Sequence, residues 1–465
     1  MASLHQKLFG QRMDLAACDA AKTCIRPRLI SAVAAAAAIV FAAPASSQQL
    51  PGTANAQHQG ENGEAAAHRQ SAVNLALTYN SDANYDVTGG ARTGGAYLQR
   101  LGLIADADLS DLLGWQGASA HLSVQGIQGQ GLSANRVGNL LTVSGIEAEP
   151  ALRLFNAWIE QKTGSGLAVR VGQFTAAQEF AISSTANLFI NSTFGWPGSF
   201  ATDLPSGGPA YPLAAPGARI AAQPEPKTLV RAALFSGDPA GRGAGDPQRR
   251  DLHGFNGFRF KGRPFAIAEI VRSSGGTEPL WSATLGGWVH FDKFRALSPS
   301  TEGFGPDGSE PVSFRRLRSN YALYVVGDGL IWRRHGRSVR GFARFSASPS
   351  GRNPIDLYVD AGLTLAGLFR SRPQDVFGVG VAVARISPSL RAADPRNAVT
   401  GKLGRVAGYE GVIEASYQIH ASSSVAVQPN AQLVLNPSGW VEAIGTPRPS
   451  ERTAFVLGVR TSVRL

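Results

Sequence analysis

Bond-making chemistry has little to work with in this chain. Hydrolysis by a serine needs a histidine held beside it by a third group. Beyond residue 45 the histidines are His58, His68, His121, His253, His290, His335 and His420, each isolated, with no paired metal-ligand spacing and no nucleophile elbow nearby. His121 and His420 fall on polar strand faces, where a solvated histidine is the simple expectation. Both cysteines, Cys18 and Cys24, lie in the first 45 residues. The remainder therefore has no thiol for a disulfide, a thiolate metal site or a covalent nucleophile. Gly241-Arg242-Gly243-Ala244-Gly245 lacks the lysine and strand context of a phosphate cradle and reads as a turn. Together these features argue against an enzyme and against a bound cofactor or metal. The formal charge is +11, of which residues 1–45 contribute five basic against two acidic residues, leaving about +8 for the rest. Its arginines are scattered among apolar residues, without the basic run or aromatic platform of a nucleic-acid binder, so no nucleic-acid partner is expected. A basic lumen or basic loops explain the surplus better.

The elements that carry these residues are strands. Residues 1–45 read as a cleavable export signal: Lys22, Arg26 and Arg28 lead into an apolar run from Leu29 to Ala43, and Ala43-Pro44-Ala45 is a small-x-small cleavage pattern. Residues 46–70, rich in Gln, Gly, Ala and Asn, read as a flexible periplasmic leader. From residue 71 to Leu465 the dominant signal is period two. Leu167, Val169 and Val171 alternate with Ala168, Arg170 and Gly172, and Thr453, Phe455, Leu457, Val459, Thr461, Val463 and Leu465 with Ala454, Val456, Gly458, Arg460, Ser462 and Arg464. A soluble sandwich also alternates. However, segments of ~9 to 13 residues suit a tilted crossing of a bilayer better than the usual soluble strand of ~5 to 6. The polar faces carry Gly, Ala, Ser, Arg, Glu and Gln, which a wet lumen tolerates and a sandwich core does not. Charged residues make up only 17% of the chain and glycines number 54, and no apolar run after the N-terminus approaches the ~20 residues of a spanning helix. In lipid an open sheet edge leaves backbone groups unpaired, so the sheet must close. The expected fold is all-β, a transmembrane antiparallel β-barrel; the segments suggest about sixteen or seventeen strands, and the even-number rule selects sixteen. Turns such as Asp238-Pro239, Gly245-Asp246-Pro247, Ser298-Pro299 and Asn436-Pro437 punctuate its loops.

One stretch breaks the pattern. From Thr175 to Pro216 no strand alternation is visible, and Glu179-Phe180, Phe194-Gly195-Trp196-Pro197 and Leu204-Pro205-Ser206-Gly207-Gly208-Pro209-Ala210-Tyr211-Pro212 bring aromatics and rigid turns. Such a loop is expected to fold into the lumen and narrow it.

The runs Val143-Ser144-Gly145-Ile146-Glu147-Ala148, Arg153-Leu154-Phe155-Asn156-Ala157-Trp158-Ile159-Glu160-Gln161 and Val169-Arg170-Val171-Gly172-Gln173, with the two loop motifs, resemble the carbohydrate-selective porins of the OprB family. Val427-Gln428-Pro429-Asn430-Ala431-Gln432 resembles that family's penultimate strand. The resemblance implies a sixteen-stranded, monomeric outer-membrane channel, inserted among lipid by the barrel-assembly machinery, with a constriction that passes glucose-like small carbohydrates. Two departures stand out: the chain ends in Leu465 where such barrels usually end in an aromatic, and the basic surplus leaves an anion-selective or general diffusion porin as the alternative.

A sugar channel needs planar donors and acceptors for hydroxyls and aromatic faces for the apolar side of a pyranose, with binding weak enough to allow release. Arg170, opposite an apolar lipid-type face, is the leading constriction donor, because a charge facing lipid costs roughly 2 to 4 kcal/mol near midplane. Glu160 and Trp158 share one parity on the neighbouring strand. Arg219, Trp196 and Tyr211 follow from the loop and the segment after it. Arg153 falls on the opposite parity unless a bulge intervenes, and is set aside.

Overall fold

The computed structural model describes residues 71–255, 262–276, 279–298, 314–392, 408–437 and 453–465; the expected export signal (1–45), leader (46–70) and Pro299 lie outside them. The described chain forms sixteen strands: β1 Val73–Thr88, β2 Gly94–Asp108, β3 Ala118–Gly129, β4 Ala151–Lys162, β5 Leu167–Phe174, β6 Ala215–Glu225, β7 Thr228–Phe235, β8 Phe265–Ser273, β9 Trp281–Arg295, β10 Arg316–Arg334, β11 Arg337–Ala347, β12 Ile355–Ala366, β13 Val376–Ile386, β14 Tyr409–His420, β15 Val425–Leu435 and β16 Thr453–Arg464. Each pairs antiparallel with the next, and β16 returns to β1, so the sheet closes as a barrel without an edge. The last residue takes part: Leu465 and Leu77 exchange both backbone hydrogen bonds, each N–H donating to the other's carbonyl at 2.9 Å. The non-aromatic end is therefore stitched into the seam.

Period two decides which side chain meets what. Along β10, Tyr321, Leu323 and Val325 are exposed while Ala322, Tyr324 and Val326 are buried. Leu285, Leu363 and Leu457 are likewise exposed on the outside. An exposed ring of large apolar side chains is unfavourable in water and favourable against hydrocarbon. A polar exception lies on β1–β3, where Tyr79 Oη meets Tyr97 Oη (2.9 Å) and Gln99 Oε1 (3.1 Å), and Gln99 Nε2 donates to Gln128 Oε1 (2.8 Å). These groups satisfy one another, as a lipid-facing surface requires.

The interior is filled by loops from one end. Residues 175–214 fold inward, with Phe180, Phe189, Phe194 and Phe200 each at most 1% exposed. Barrel-wall carboxylates hold this loop by its backbone. Glu414 accepts from the amides of Ile190 (2.6 Å) and Asn191 (2.8 Å), Asp328 from the Thr185 amide (2.8 Å) and the Ser183 hydroxyl (2.5 Å), and Glu269 from the Ala181 amide (3.0 Å). Arg344 works in the opposite sense. It donates to Asp360 through Nε (3.0 Å) and Nη2 (2.5 Å), and to the loop carbonyls of Ala181 (2.8 Å), Thr193 (3.0 Å) and Phe194 (3.0 Å). The preceding long loop is tied down similarly: Glu410 accepts from the amides of Leu140 and Leu141, both at 2.7 Å. A loop without strand partners thus has its backbone groups satisfied by side chains on the polar parity of the wall.

Candidate pore constriction

Strand register places the charged candidates in one row. Glu160 on β4 lies opposite Arg170 on β5, which lies opposite Arg219 on β6. Two arginines directly opposite repel each other. Glu179, from the start of the in-folded loop, resolves this by bridging them. Arg170 reaches Glu160 Oε2 with Nε (3.0 Å) and Glu179 Oε1 with Nη1 (2.8 Å). Arg219 reaches Glu160 Oε2 with Nη2 (2.6 Å) and Glu179 Oε2 with Nε (2.7 Å). All four side chains are less than a tenth exposed. The result is a square of two guanidinium and two carboxylate groups, linking three wall strands to the loop by charge-assisted hydrogen bonds, with the largely exposed Lys162 ammonium 3.5 Å from Glu160 Oε1 as a third cation beside it. Gly172 makes room for the strand crossing beside it: at φ +147° a Cβ there would lie 2.3 Å from the Ala157 carbonyl oxygen.

Trp158 extends the square along the wall. The Arg170 guanidinium sits 3.6 Å from the indole centroid, and His121, the β3 partner of Trp158, stacks on it at 4.9 Å with an interplanar angle of 8°. Because β3 and β5 flank β4, both indole faces are covered and only its edge is left toward the lumen. His121 is enclosed, not solvated as its polar parity suggested: its side chain is fully buried and Nδ1 lies 2.7 Å from Asp106 Oδ1. Trp196 and Tyr211 do not join this group. Trp196 packs against Phe200 and donates from Nε1 to the Gly207 carbonyl (3.1 Å), within an apolar cluster that joins the loop to wall residues such as Phe235, Phe265 and Trp288 and against whose margin Trp158 packs. Tyr211 donates to the Ile146 carbonyl (3.0 Å), lies edge-on to Phe155, and is approached by the Arg100 guanidinium at 5.4 Å. Burial pushes its phenol up to about 12, so it stays a neutral donor.

Arg153 is an inward residue after all. Ser123 pairs with Asn156 and Val124 with Leu154, so Phe155 is the extra residue of a bulge that reverses the parity of β4. Arg153 is 1% exposed and donates to the carbonyls of Asp251 (2.6 Å) and Gln248 (3.3 Å). It braces the long loop between β7 and β8. Glu179 was marked only as part of a loop motif, and Arg344, Asp360 and the clamping carboxylates were not singled out as site residues from the sequence. Strand parity marks Arg344, Asp360 and Glu414 as inward, but nothing local says which loop amide or carbonyl each one meets.

Among the described residues, most lumen arginines are paired with carboxylates; Arg153, held by carbonyls, is an exception. Besides Arg170 and Arg219, Arg231 meets Glu269 (2.7 Å), Arg340 meets Asp328 (3.3 Å), Arg344 meets Asp360 and Arg460 meets Asp82 (2.7 Å). The basic surplus therefore does not translate into a ring of free guanidinium groups at the square, which weakens the anion-selective alternative.

Known proteins resemble this chain over most of its length. Porin B of Pseudomonas aeruginosa is 23% identical over 376 residues, covering 74% of this chain and 78% of that protein. The structure of Pseudomonas putida OprB at high pH superposes with a TM-score of 0.73 at 21% identity, covering 85% of this chain and 94% of that one. Its low-pH structure gives 0.50 at 17% identity, covering 85% and 93%. At these identities the structural likeness establishes the sixteen-stranded fold. The family profile described as "Carbohydrate-selective porin, OprB family" matches residues 92–465, from the strand that carries Gln99 to the seam at Leu465, and the chain belongs to that family.

Proposed function

We propose that this barrel is an outer-membrane porin through which small, glucose-like carbohydrates diffuse passively, and that the square of Arg170, Glu160, Glu179 and Arg219 is its selecting element. What supports this is the pairing of both guanidinium groups with carboxylates, which leaves only the exposed Lys162 ammonium in excess, combined with a density of planar donors and acceptors. An array whose guanidinium charges are matched by carboxylates draws anions only weakly, and a vicinal diol can exchange hydrogen bonds with guanidinium and carboxylate edges as it passes. Trp158 contributes its edge and stiffens Arg170 through cation–π contact, worth roughly 0.5 to 2 kcal/mol. Trp196 and Tyr211 act one step back, shaping the loop that sets the opening. In this reading the chain is a channel and not an enzyme. Residues 1–45 direct export and are removed, 46–70 form a periplasmic leader, the barrel-assembly machinery inserts the sheet among outer-membrane lipids, and each barrel conducts as a monomer.

Liposome swelling with a graded series of mono-, di- and trisaccharides tests this. Swelling should be fast for glucose, slower for maltose and slowest for a trisaccharide, and Arg170→Gln should flatten the difference between glucose and an uncharged non-sugar solute of equal size. Identical rates for wild type and variant across the series would remove the square from the selecting role.

A further inference from the structure

The short turns and Leu465 share one end of the barrel, the end that in bacterial barrels faces the periplasm. At that rim β10 and β11 meet in a tight turn through His335 and Gly336, with Arg334 directly opposite Arg337. A bulge between Leu330 and Trp332 leaves Ile331 (65% exposed) and Trp332 (44%) on the lipid side. Two residues beyond Trp332, Arg334 and its partner Arg337 share that outward face and are exposed. Like charges facing each other across a strand pair are destabilising unless something of opposite sign lies between them. No hydrogen bond or ion pair joins either guanidinium to another described residue. The next turn carries the exposed Arg370, and its Gly367 sits so close that a Cβ on it would lie 2.5 Å from the Gly336 carbonyl oxygen, while Phe369 of the same turn leans the other way, edge-on to Tyr417 of β14.

Exposed tryptophan and phenylalanine mark the membrane–water interface, and cations just beyond them sit at the level of lipid headgroups. We propose that Arg334, Arg337 and Arg370 form a binding site for the phosphate of an anionic phospholipid in the periplasmic leaflet, with Trp332 and Ile331 against its acyl chains. The site rests on the membrane-spanning reading above but not on the identity of the solute. A single phosphate between Arg334 and Arg337 converts their repulsion into two charge-assisted hydrogen bonds.

The test is native mass spectrometry of the full chain in detergent with phosphatidylglycerol or phosphatidylcholine added. Wild type should retain phosphatidylglycerol over phosphatidylcholine, and Arg334→Gln/Arg337→Gln should lose about tenfold of that preference. Arg370→Gln, a milder change, should lose part of it, and Arg242→Gln at the opposite end none. Conductance and mobility that changes on boiling show for each variant that the barrel is intact, separating loss of the fold from loss of the site. Equal preference in wild type and the double variant overturns the proposal, as does displacement of the lipid by inorganic phosphate.

Discussion

Arg344→Met should release the in-folded loop. In the native barrel Arg344 is fully buried, its two bonds to Asp360 balance a carboxylate that is itself fully buried, and three further bonds hold the carbonyls of Ala181, Thr193 and Phe194. Removing one member of a buried ion pair costs about 3 to 5 kcal/mol, because the other charge is left uncompensated. The loop carbonyls lose roughly 1 kcal/mol each where water does not replace the donor. Together the change weakens loop docking by about 5 kcal/mol or more, and at 1.4 kcal/mol per factor of ten that exceeds three orders of magnitude in the open population. The loop amides are the reporters, namely Ala181, Thr185, Ile190 and Asn191, each donating to a wall carboxylate. Their hydrogen-exchange protection should fall by about a thousandfold, while amides of β12 and β13 keep theirs. Channel current should become noisier and larger. The double variant Arg344→Met/Asp360→Leu removes the orphaned charge and should recover more than half of the lost protection. If the reporter amides of Arg344→Met exchange within tenfold of wild type, the loop is not held by this pair and the reasoning fails.

Other expectations follow from the same geometry. Glu160→Gln leaves the square with two cations and one anion, so the reversal potential in a salt gradient should shift toward anion preference and half-blocking sugar concentrations should rise severalfold; an unchanged reversal potential would show that the square does not face the permeation path. Gly172→Ala places a methyl group against the Ala157 carbonyl beside the square, and the fraction of barrel that resists unfolding before boiling should drop on gels. Glu147, in the loop between β3 and β4, accepts from the amide (3.2 Å) and hydroxyl (3.1 Å) of Ser133, and burial pushes its carboxyl up to about 7. Since docking raises this value above the ordinary 4.5, docking is fully favoured below that pH and weakens as pH rises toward 7, by at most about 3 kcal/mol. Protection of the 131–138 amides, corrected for intrinsic exchange, should decline over that window in wild type and stay flat in Glu147→Gln; an equal decline in both would assign the effect to another group.

Much of the barrel was legible because period two is a local signal. The alternation at Leu167–Gln173 and Thr453–Leu465 names the lipid and lumen faces without any tertiary information, and a closed sheet follows from the cost of unpaired backbone in hydrocarbon. Arg170 and Glu160 were legible for the same reason, since parity alone puts them inside, whereas Arg219 was picked out only by its place just after the loop. Arg153 was not, because a single extra residue, Phe155, reverses parity and leaves no compositional mark. The aromatics were harder still. Parity placed Trp158 inside, but only the register of three strands shows His121 and Arg170 covering its two faces. Trp196 and Tyr211 sit in a loop whose path is set by clamps from distant strands, such as Glu414 to Ile190, more than two hundred positions away. No pattern within the loop encodes those partners.

Passage of sugar through the lumen can be read as block of ion current through single barrels in a planar bilayer. Current should fall in a saturable way as glucose or maltose is added, with Arg170→Gln shifting the half-blocking concentration upward, and phosphate should not compete. A current indifferent to sugar but reduced by phosphate would contradict the account and assign the lumen to anions.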